Sequence, residues 1–384
     1  MSKRTVKEVY LLRSIACVCV VLLHSITRVV ELYDSQLPSY QETSLMTLRL
    51  LLTFGTPIFI FLSEFLLSYS YTEEIPKNFM KKRIQLIISP YISMSFIYAV
   101  LMTHEANNFV EGTIIRTFGM YVMRNLLFGF YRHGYFIIVV FQFYFLHLLL
   151  HRHLSSASPK KVLSISLMIN LIYLGFFNFV EPFNIPYGQY IWHGLSWGSF
   201  LSWIFYFALG YYCGKYYDDF IKILRYHRRK VIFLPFVAAT VVGYLYLSEV
   251  LTMNDSKRID MIFFATSMIF FIYYIAVKIT DIPSIFIIIS RFSFSIYLLH
   301  MVFLYLGVQL VQNTSYINLH PLSVLSLLFI GSIAASIIST LVISKFSIGK
   351  YIVGRINRPK ETDIKPVSKK TAWISKEFIE NNIK

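Results

Sequence analysis

Long hydrophobic stretches alternate along the chain with short polar segments rich in Lys and Arg. Ten stretches reach about 17–25 residues, the length at which a helix rising about 1.5 Å per residue crosses about 30 Å of hydrocarbon. They are 8–30, 46–69, 84–103, 134–151, 162–180, 199–216, 231–250, 260–278, 284–306 and 321–344. Helices are favoured over strands because each run is long and because a helix satisfies its own backbone in lipid. The pattern predicts an all-α, polytopic integral membrane protein of about ten transmembrane helices.

Composition narrows the class further. Of the 384 residues, 56% are hydrophobic and only 15% are charged, whereas a soluble domain carries about 25% charged residues. A soluble enzyme, a disordered chain and a disulfide scaffold are therefore excluded. The net charge of +16 indicates Lys- and Arg-rich cytoplasmic loops rather than a nucleic-acid partner.

The positive charges also predict the orientation. Most of the 36 Lys and Arg fall in segments on the same side as the N-terminus, so both termini are predicted to be cytoplasmic. The first span is too long for a cleavable signal peptide, and it contains Arg13 and His24. Residues 1–344 are predicted to form the transmembrane domain and 345–384 a basic cytoplasmic tail.

Ionisable groups inside a membrane are costly, so they mark the places to look for chemistry. His24 lies eleven positions after Arg13, which puts both on one helix face about 16 Å apart along the axis. A guanidinium suits phosphate recognition and an imidazole suits general base catalysis. The alternatives are a snorkelling arginine and a packing histidine.

Three further groups lie inside predicted spans. Glu64 is expected at the depth of Arg13, where an ion pair between them would make its burial tolerable. Tyr297 and His300 are three residues apart and share a helix face, and His300 reaches the depth of His24. The two histidines are therefore candidates to flank one cavity, and a purely structural role for each group remains the alternative.

Other polar and aromatic residues carry weaker signals. His147, His151 and His153 have no acid or Cys beside them in the sequence, so a metal site is not predicted. Flat aromatic faces near polar groups suit sugar rings, although aromatic belts at the membrane surface are the common alternative. Aromatic and histidine side chains in the predicted outer segments are His133, Tyr135, Tyr187, Tyr190, Trp192, His193 and Trp197.

Four of these patterns together resemble the acyltransferase family 3 membrane proteins. That family has about ten spans and an Arg, ten residues, His pattern in the first, as in Arg13 to His24. Its Phe-x-x-Ser-Gly element is matched in register by Ser63, while Ile60 and Glu64 replace the Phe and the Gly. The Arg83, six residues, Pro-Tyr pattern in 82–91 and the stretch 295–300 (SIYLLH) are similar to two further family motifs. Within the family, stretches 54–57, 133–140 and 203–210 are similar to the staphylococcal biofilm-polysaccharide branch.

The resemblance implies a bacterial plasma-membrane enzyme that moves a small acyl group, acetyl or succinyl, from a cytoplasmic thioester to a hydroxyl of an envelope polysaccharide. Acyl-CoA would be the donor substrate, with no tightly bound cofactor and no metal. His24, His300 and Tyr297 would be catalytic. The donor would be bound by Arg13, Ser63, Glu64 and Arg83, and the acceptor by His133, Tyr135, Trp192 and Trp197.

Two other functions fit parts of the pattern. An exporter or flippase of a polysaccharide such as poly-N-acetylglucosamine is compatible with the biofilm branch, although few polar residues line the predicted spans. An ion-coupled transporter would favour broken helices in matched halves, and no convincing pair occurs in the sequence.

Overall fold

A computed structural model describes residues 6–34, 36–71, 75–106, 113–131, 133–186 and 188–356, and the regular secondary structure of that part is helical. Nine of its helical segments are long and apolar enough to cross a membrane. The prediction of an all-α polytopic membrane protein is confirmed. The α-helices are α1 (Glu8–Leu32), α2 (Ser39–Leu52), α3 (Gly55–Ser70), α4 (Phe79–Arg83), α5 (Ser89–Glu105), α6 (Ile114–Phe128), α7 (Tyr135–Ser156), α8 (Pro159–Phe179), α9 (Gly188–Gly198), α10 (Ile204–Lys215), α11 (Tyr217–Tyr226), α12 (Arg228–Leu247), α13 (Met261–Lys278), α14 (Ser284–Gln312), α15 (Pro321–Ile343) and α16 (Gly349–Ile352).

Two predicted spans depart from a single long helix: 46–69 is divided between α2 and α3, and 199–216 contains only a short helix. A short 3₁₀ turn (Phe200–Trp203) precedes the 12-residue helix α10. Ser199 starts this turn by accepting a hydrogen bond from the backbone N–H of Leu201, at 3.2 Å. The short helix packs closely on α3, since a Cβ atom at Gly210 would lie only 2.5 Å from the carbonyl oxygen of Phe61. Buried on all its faces, α10 needs no lipid-crossing length of its own.

The helix that carries Arg83 is widened by one turn of π-helix. Between α4 and α5 the segment Ile84–Ile88 has π geometry, and Pro90 follows it at the start of α5. Proline has no N–H to continue the α-helical hydrogen bonds, which explains a local change of winding at this point. The three segments form one span, Phe79–Glu105, with Arg83 near its beginning.

A further helix, α6, lies between two predicted spans, and the two side chains that it buries are Thr117 and Asn125. α6 lies alongside α5, where the Asn125 amide donates to the Ser95 carbonyl at 2.9 Å and the Tyr91 hydroxyl donates to the Leu126 carbonyl at 3.0 Å. Tyr91 and Ser95 are in the middle of their span. The chain then turns back through Gly129 and Tyr131, whose φ angles are +94° and +49°. His133 therefore lies at mid-span depth, immediately before α7 begins.

The first residues of the predicted tail pack on the helices. The hydroxyl of Ser295 in α14 donates to the Val353 carbonyl at 2.9 Å, and Ser93 in α5 donates to the Tyr351 carbonyl at 3.3 Å. Residues 357–384 lie outside the described part, and the cytoplasmic location of the tail stays a prediction.

Candidate functional site

Three histidines from three different elements meet at mid-span depth. His24 comes from α1, His133 from the loop before α7 and His300 from α14. Their ring centroids are 5.3 Å apart for His24 and His300, 6.0 Å for His24 and His133, and 4.9 Å for His133 and His300. We call these residues the histidine cluster. The sequence predicted that His24 and His300 lie at one depth and are candidates to flank one cavity. His133, which was predicted to bind the acceptor, lies beside both.

The surroundings of His300 settle which of its nitrogens carries a proton. Its Nδ1 lies 2.9 Å from the carbonyl oxygen of Ile296 and 2.8 Å from that of Tyr297. Carbonyl oxygens only accept, so Nδ1 must be the donor, and in the neutral ring Nε2 is then the acceptor. His300 is completely buried, and its Nε2 has no hydrogen-bond partner among the described residues. The ring therefore presents a lone pair to its surroundings.

His133 is also buried, at 4% exposed, and neither of its ring nitrogens has a hydrogen-bond partner in the described part. Its ring is oriented by edge contacts with Phe130, Tyr98 and Tyr297, at centroid distances of 5.1, 5.4 and 5.0 Å. Burial of an imidazole without a hydrogen-bond partner favours its neutral form.

Tyr297 contributes to the cluster by holding His133 in place. Its hydroxyl donates a short hydrogen bond to the backbone carbonyl oxygen of His133. The phenol is thus engaged by the protein backbone. Tyr297, predicted to be catalytic, occupies a position that fixes the loop beneath His133.

A second cluster of charged groups lies at the depth of Arg13. Arg83 places its guanidinium carbon 4.9 Å from the ring centroid of Tyr144 and 5.1 Å from that of Phe79. Tyr144, in α7, lies near both Arg13 and Arg83. Within the described residues neither arginine has a hydrogen-bond or ion-pair partner. We call Arg13, Arg83 and Tyr144 the arginine cluster, and its free guanidinium groups suit an anionic ligand.

Glu64 has a different partner from the one predicted. Its Oε1 lies 2.6 Å from Nδ1 of His147, and the two side chains are 1% and 0% exposed. No ion pair joins Glu64 to Arg13 among the described residues, so that prediction is wrong. The physical reason is that α7 brings an imidazole directly against α3, and this imidazole offers the carboxyl group a buried hydrogen bond. Ser63 beside it donates to the Ile60 carbonyl of its own helix at 2.9 Å and takes no part in the pair.

The three histidines of α7 also separate in space. His151 stacks near His147 with ring centroids 5.1 Å apart, and His153 is exposed. In the described part of the chain no group of three or more His, Cys, Asp or Glu side chains is arranged to hold a metal ion. The sequence offered no acid next to His147, and only the α3–α7 contact supplies one.

Aromatic residues predicted for the acceptor divide into two groups. Tyr135 and Trp197, with ring centroids 5.7 Å apart, line a cavity of about 590 Å³ together with Arg124, Tyr131 and Gln142. Trp192 does not line this cavity and packs on Phe177 of α8, with ring centroids 4.6 Å apart; its role in acceptor binding stays a prediction. Tyr187 lies outside the described residues, as do the side chains of Tyr190 and His193.

No pattern in the sequence predicted Lys257 at this site. Its ammonium group lies 4.5 Å from the Trp197 ring centroid and 5.0 Å from that of Tyr135, and the side chain is 4% exposed. Asp255 lies 3.7 Å from the ammonium. Lysine in a predicted outer loop is expected in water. Here its ammonium group makes cation–π contacts with Trp197 and Tyr135, two aromatic residues that line the cavity.

The helical membrane fold and its buried histidine and arginine clusters define a polytopic membrane protein with an internal polar site. The sequence profile of the acyltransferase 3 family, described as an acyltransferase domain, matches residues 6–341. The chain belongs to this family, and the protein is a membrane acyltransferase.

Individual relatives agree with this assignment. The Bacillus subtilis (strain 168) protein named "Putative membrane-bound acyltransferase YfiQ" is 39% identical over 364 residues, which cover 94% of this chain and 97% of that protein. A Staphylococcus aureus (strain Mu50) protein named "Probable poly-beta-1,6-N-acetyl-D-glucosamine export protein" is 26% identical over 375 residues, covering 92% and 97%. A Staphylococcus epidermidis protein of the same name is 26% identical over 312 residues, covering 79% and 82%. No solved structure matches the chain.

Proposed function

We propose that the protein transfers a small acyl group, acetyl or succinyl, from acyl-CoA on the cytoplasmic side to a hydroxyl group of a cell-envelope polysaccharide. The hydroxyl oxygen bonds to the thioester carbonyl carbon, and the carbon–sulfur bond breaks. His24 accepts the hydroxyl proton, which then passes to the departing thiolate. The reaction takes place in the bacterial plasma membrane.

One observation carries the proposal: Arg13, which makes no ion pair among the described residues, shares a face of α1 with His24 of the histidine cluster. Arg13 and His24 are about 16 Å apart along α1. The arm between the diphosphate and the sulfur of coenzyme A, fully extended at about 1.2 Å per bond, is also roughly 16 Å long. With its phosphates at Arg13 and Arg83, the donor would present its thioester to His24.

The polar groups around the cluster fit the acceptor half of the reaction. The Nε2 lone pair of His300 is positioned to accept a hydrogen bond from the sugar hydroxyl. Tyr135 and Trp197 offer two aromatic faces in the cavity that Tyr131, two residues before His133 in the chain, also lines. The low polarity around the thioester would limit its hydrolysis.

The test compares the ester content of envelope polysaccharide in a deletion strain complemented with wild type or with His24→Ala. Mass spectrometry after mild base release measures the ester, and the mass lost identifies the acyl group. Loss of ester while the polymer remains outside the cell is expected. His153→Ala, which changes an exposed histidine of α7, is the matched control and should retain the ester.

The names of the staphylococcal relatives support export of poly-N-acetylglucosamine as a second candidate function. The same strains distinguish the two. If His24→Ala removes the polymer from the surface while the ester content per sugar is unchanged, export becomes the better assignment.

A further inference from the structure

His133 has properties that a packing histidine does not share. It is nearly fully buried, yet both ring nitrogens are unpartnered among the described residues. Its ring is neutral, so one nitrogen carries a proton and the other a lone pair. A buried N–H group without an acceptor is costly, and native structures retain such groups mainly where a ligand or a reaction needs them.

Several contacts hold the His133 ring in position. Three aromatic side chains contact it nearly edge to face, with interplanar angles of 81° for Phe130, 82° for Tyr98 and 75° for Tyr297. The Tyr297 hydroxyl anchors its backbone carbonyl. Two residues earlier, Tyr131 holds a positive φ of 49°, a conformation that costs energy in a non-glycine residue and concentrates at functional sites. The result is a preorganised imidazole next to His24.

The roles of His24 and His300 leave the role of hydrogen-bond donor to the substrate unfilled. His24 is the base in the proposed reaction. His300 donates through Nδ1 to backbone carbonyls, so its Nε2 can only accept. The ring N–H group of His133 is the donor in the histidine cluster that makes no hydrogen bond to a backbone group among the described residues.

We propose that His133 donates a hydrogen bond to the carbonyl oxygen of the bound acyl thioester and stabilises the negative charge that develops there. This inference rests on the proposed function. As the acceptor oxygen bonds to the carbonyl carbon, the carbonyl electron pair moves onto oxygen, and the His133 N–H proton stays on its nitrogen. When the carbonyl re-forms, the carbon–sulfur bond breaks and the thiolate takes the proton held by His24. Preorganised donors of this kind act without reorganisation in a site of low polarity.

Infrared spectroscopy of the bound donor tests this role directly. Acetyl-CoA labelled with ¹³C at the thioester carbonyl is bound to the purified protein in lipid nanodiscs, without acceptor. A hydrogen bond to the carbonyl oxygen lowers its stretching frequency. We expect His133→Phe, which keeps an aromatic ring but removes the donor, to return the band to higher frequency. His133→Gln retains an N–H donor and should keep part of the lowering, and His153→Phe should match wild type.

Turnover should follow the spectrum. Loss of one such donor reduces kcat by on the order of 10²–10³-fold, so His133→Phe should fall in this range and His133→Gln should lose less. If His133→Phe does not fold, His133→Met removes the donor with a side chain of similar length. A low-frequency band retained in His133→Phe or His133→Met would overturn the assignment.

The experiment separates two kinds of failure. If wild type binds acetyl-CoA but the carbonyl band is not lowered, the role of His133 is wrong and the proposed function stands. If wild type does not bind acetyl-CoA at all, the proposed donor is wrong, and the role of His133 is overturned with it.

Discussion

The histidine cluster and the Glu64–His147 pair both bury imidazole rings among apolar helices, but they satisfy those rings differently. In the pair, His147 Nδ1 and Glu64 Oε1 are 2.6 Å apart and almost inaccessible. In the cluster, His133 is equally buried and makes no hydrogen bond through its ring within the described residues. A polar group already paired inside the protein has little left for a substrate, whereas an unpaired one gains from binding. The pair therefore joins α3 to α7, whereas the histidine cluster is the place where we propose that the substrates react.

The buried arginines show the same contrast. Arg258 is completely buried and donates two hydrogen bonds to Asp260, from Nη2 to Oδ2 at 2.6 Å and from Nε to Oδ1 at 3.0 Å. Arg13 has no such partner in the described structure. Arg258 closes a local network at the start of α13, and Arg13 is available to a ligand. Burial of a charge is thus not by itself a sign of function, and a charge that the protein leaves without an ion pair is the better candidate.

The largest expected effect comes from removing the base. His24→Ala should lower turnover by on the order of 10²–10⁴-fold, the range that general base catalysis contributes. Donor affinity should change little, because the phosphates bind about 16 Å away along α1. Single-turnover ester formation and equilibrium binding of coenzyme A measure the two quantities. A parallel loss of both would show that the two clusters do not act separately.

The second-largest effect is expected when the Arg13 guanidinium group is replaced. Arg13→Lys should weaken coenzyme A binding by about 10- to 100-fold, since a charge-assisted hydrogen bond contributes about 1.5–3 kcal/mol and lysine cannot reproduce the planar fork. Arg152→Lys, at an exposed position, provides the control. Isothermal titration in nanodiscs gives both affinities, and unchanged binding in Arg13→Lys would remove the arginine cluster from the donor site.

The Glu64–His147 pair should affect stability more than activity. Glu64→Leu leaves His147 buried without its partner, so the free energy of unfolding should fall by about 1–3 kcal/mol. Glu64→Gln keeps an acceptor and should lose less. Thermal unfolding in detergent measures the difference, with turnover recorded on the same samples. A loss of turnover comparable to that of His24→Ala, in a protein of normal stability, would place the pair in the reaction and erase the distinction drawn here.

The smallest effect is expected in the aromatic cavity. Trp197→Ala should raise the KM for the acceptor by about 2- to 10-fold, because one aromatic contact contributes about 0.5–1.5 kcal/mol. Trp192→Phe should leave KM unchanged, since Trp192 packs on α8 outside the cavity. Initial rates against acceptor concentration provide the measurement. Equal effects of the two substitutions would mean that the cavity is not the acceptor site.

Much of the scaffold followed from hydropathy alone. Nine of the ten predicted spans coincide with helices of membrane-crossing length, and the tenth is the short, internal α10. Depth could also be counted along a helix, which is why His24 and His300 were expected at one level. Partners could not be counted in this way: Glu64 was assigned to Arg13 because both lie at one depth, but depth does not say which faces meet.

The membrane class, the spans and the spacing of Arg13 from His24 follow from the amino-acid sequence, because lipid imposes length and polarity on each segment separately. The pairing of polar groups depends on the packing of the helices. That packing brings His133 to the histidine cluster and places His147 against Glu64, and it gives Arg13 no ion-pair partner among the described residues. Pairing depends on how helix faces rotate and pack against one another, and those contacts join residues such as His24 and His300 that are far apart in the chain.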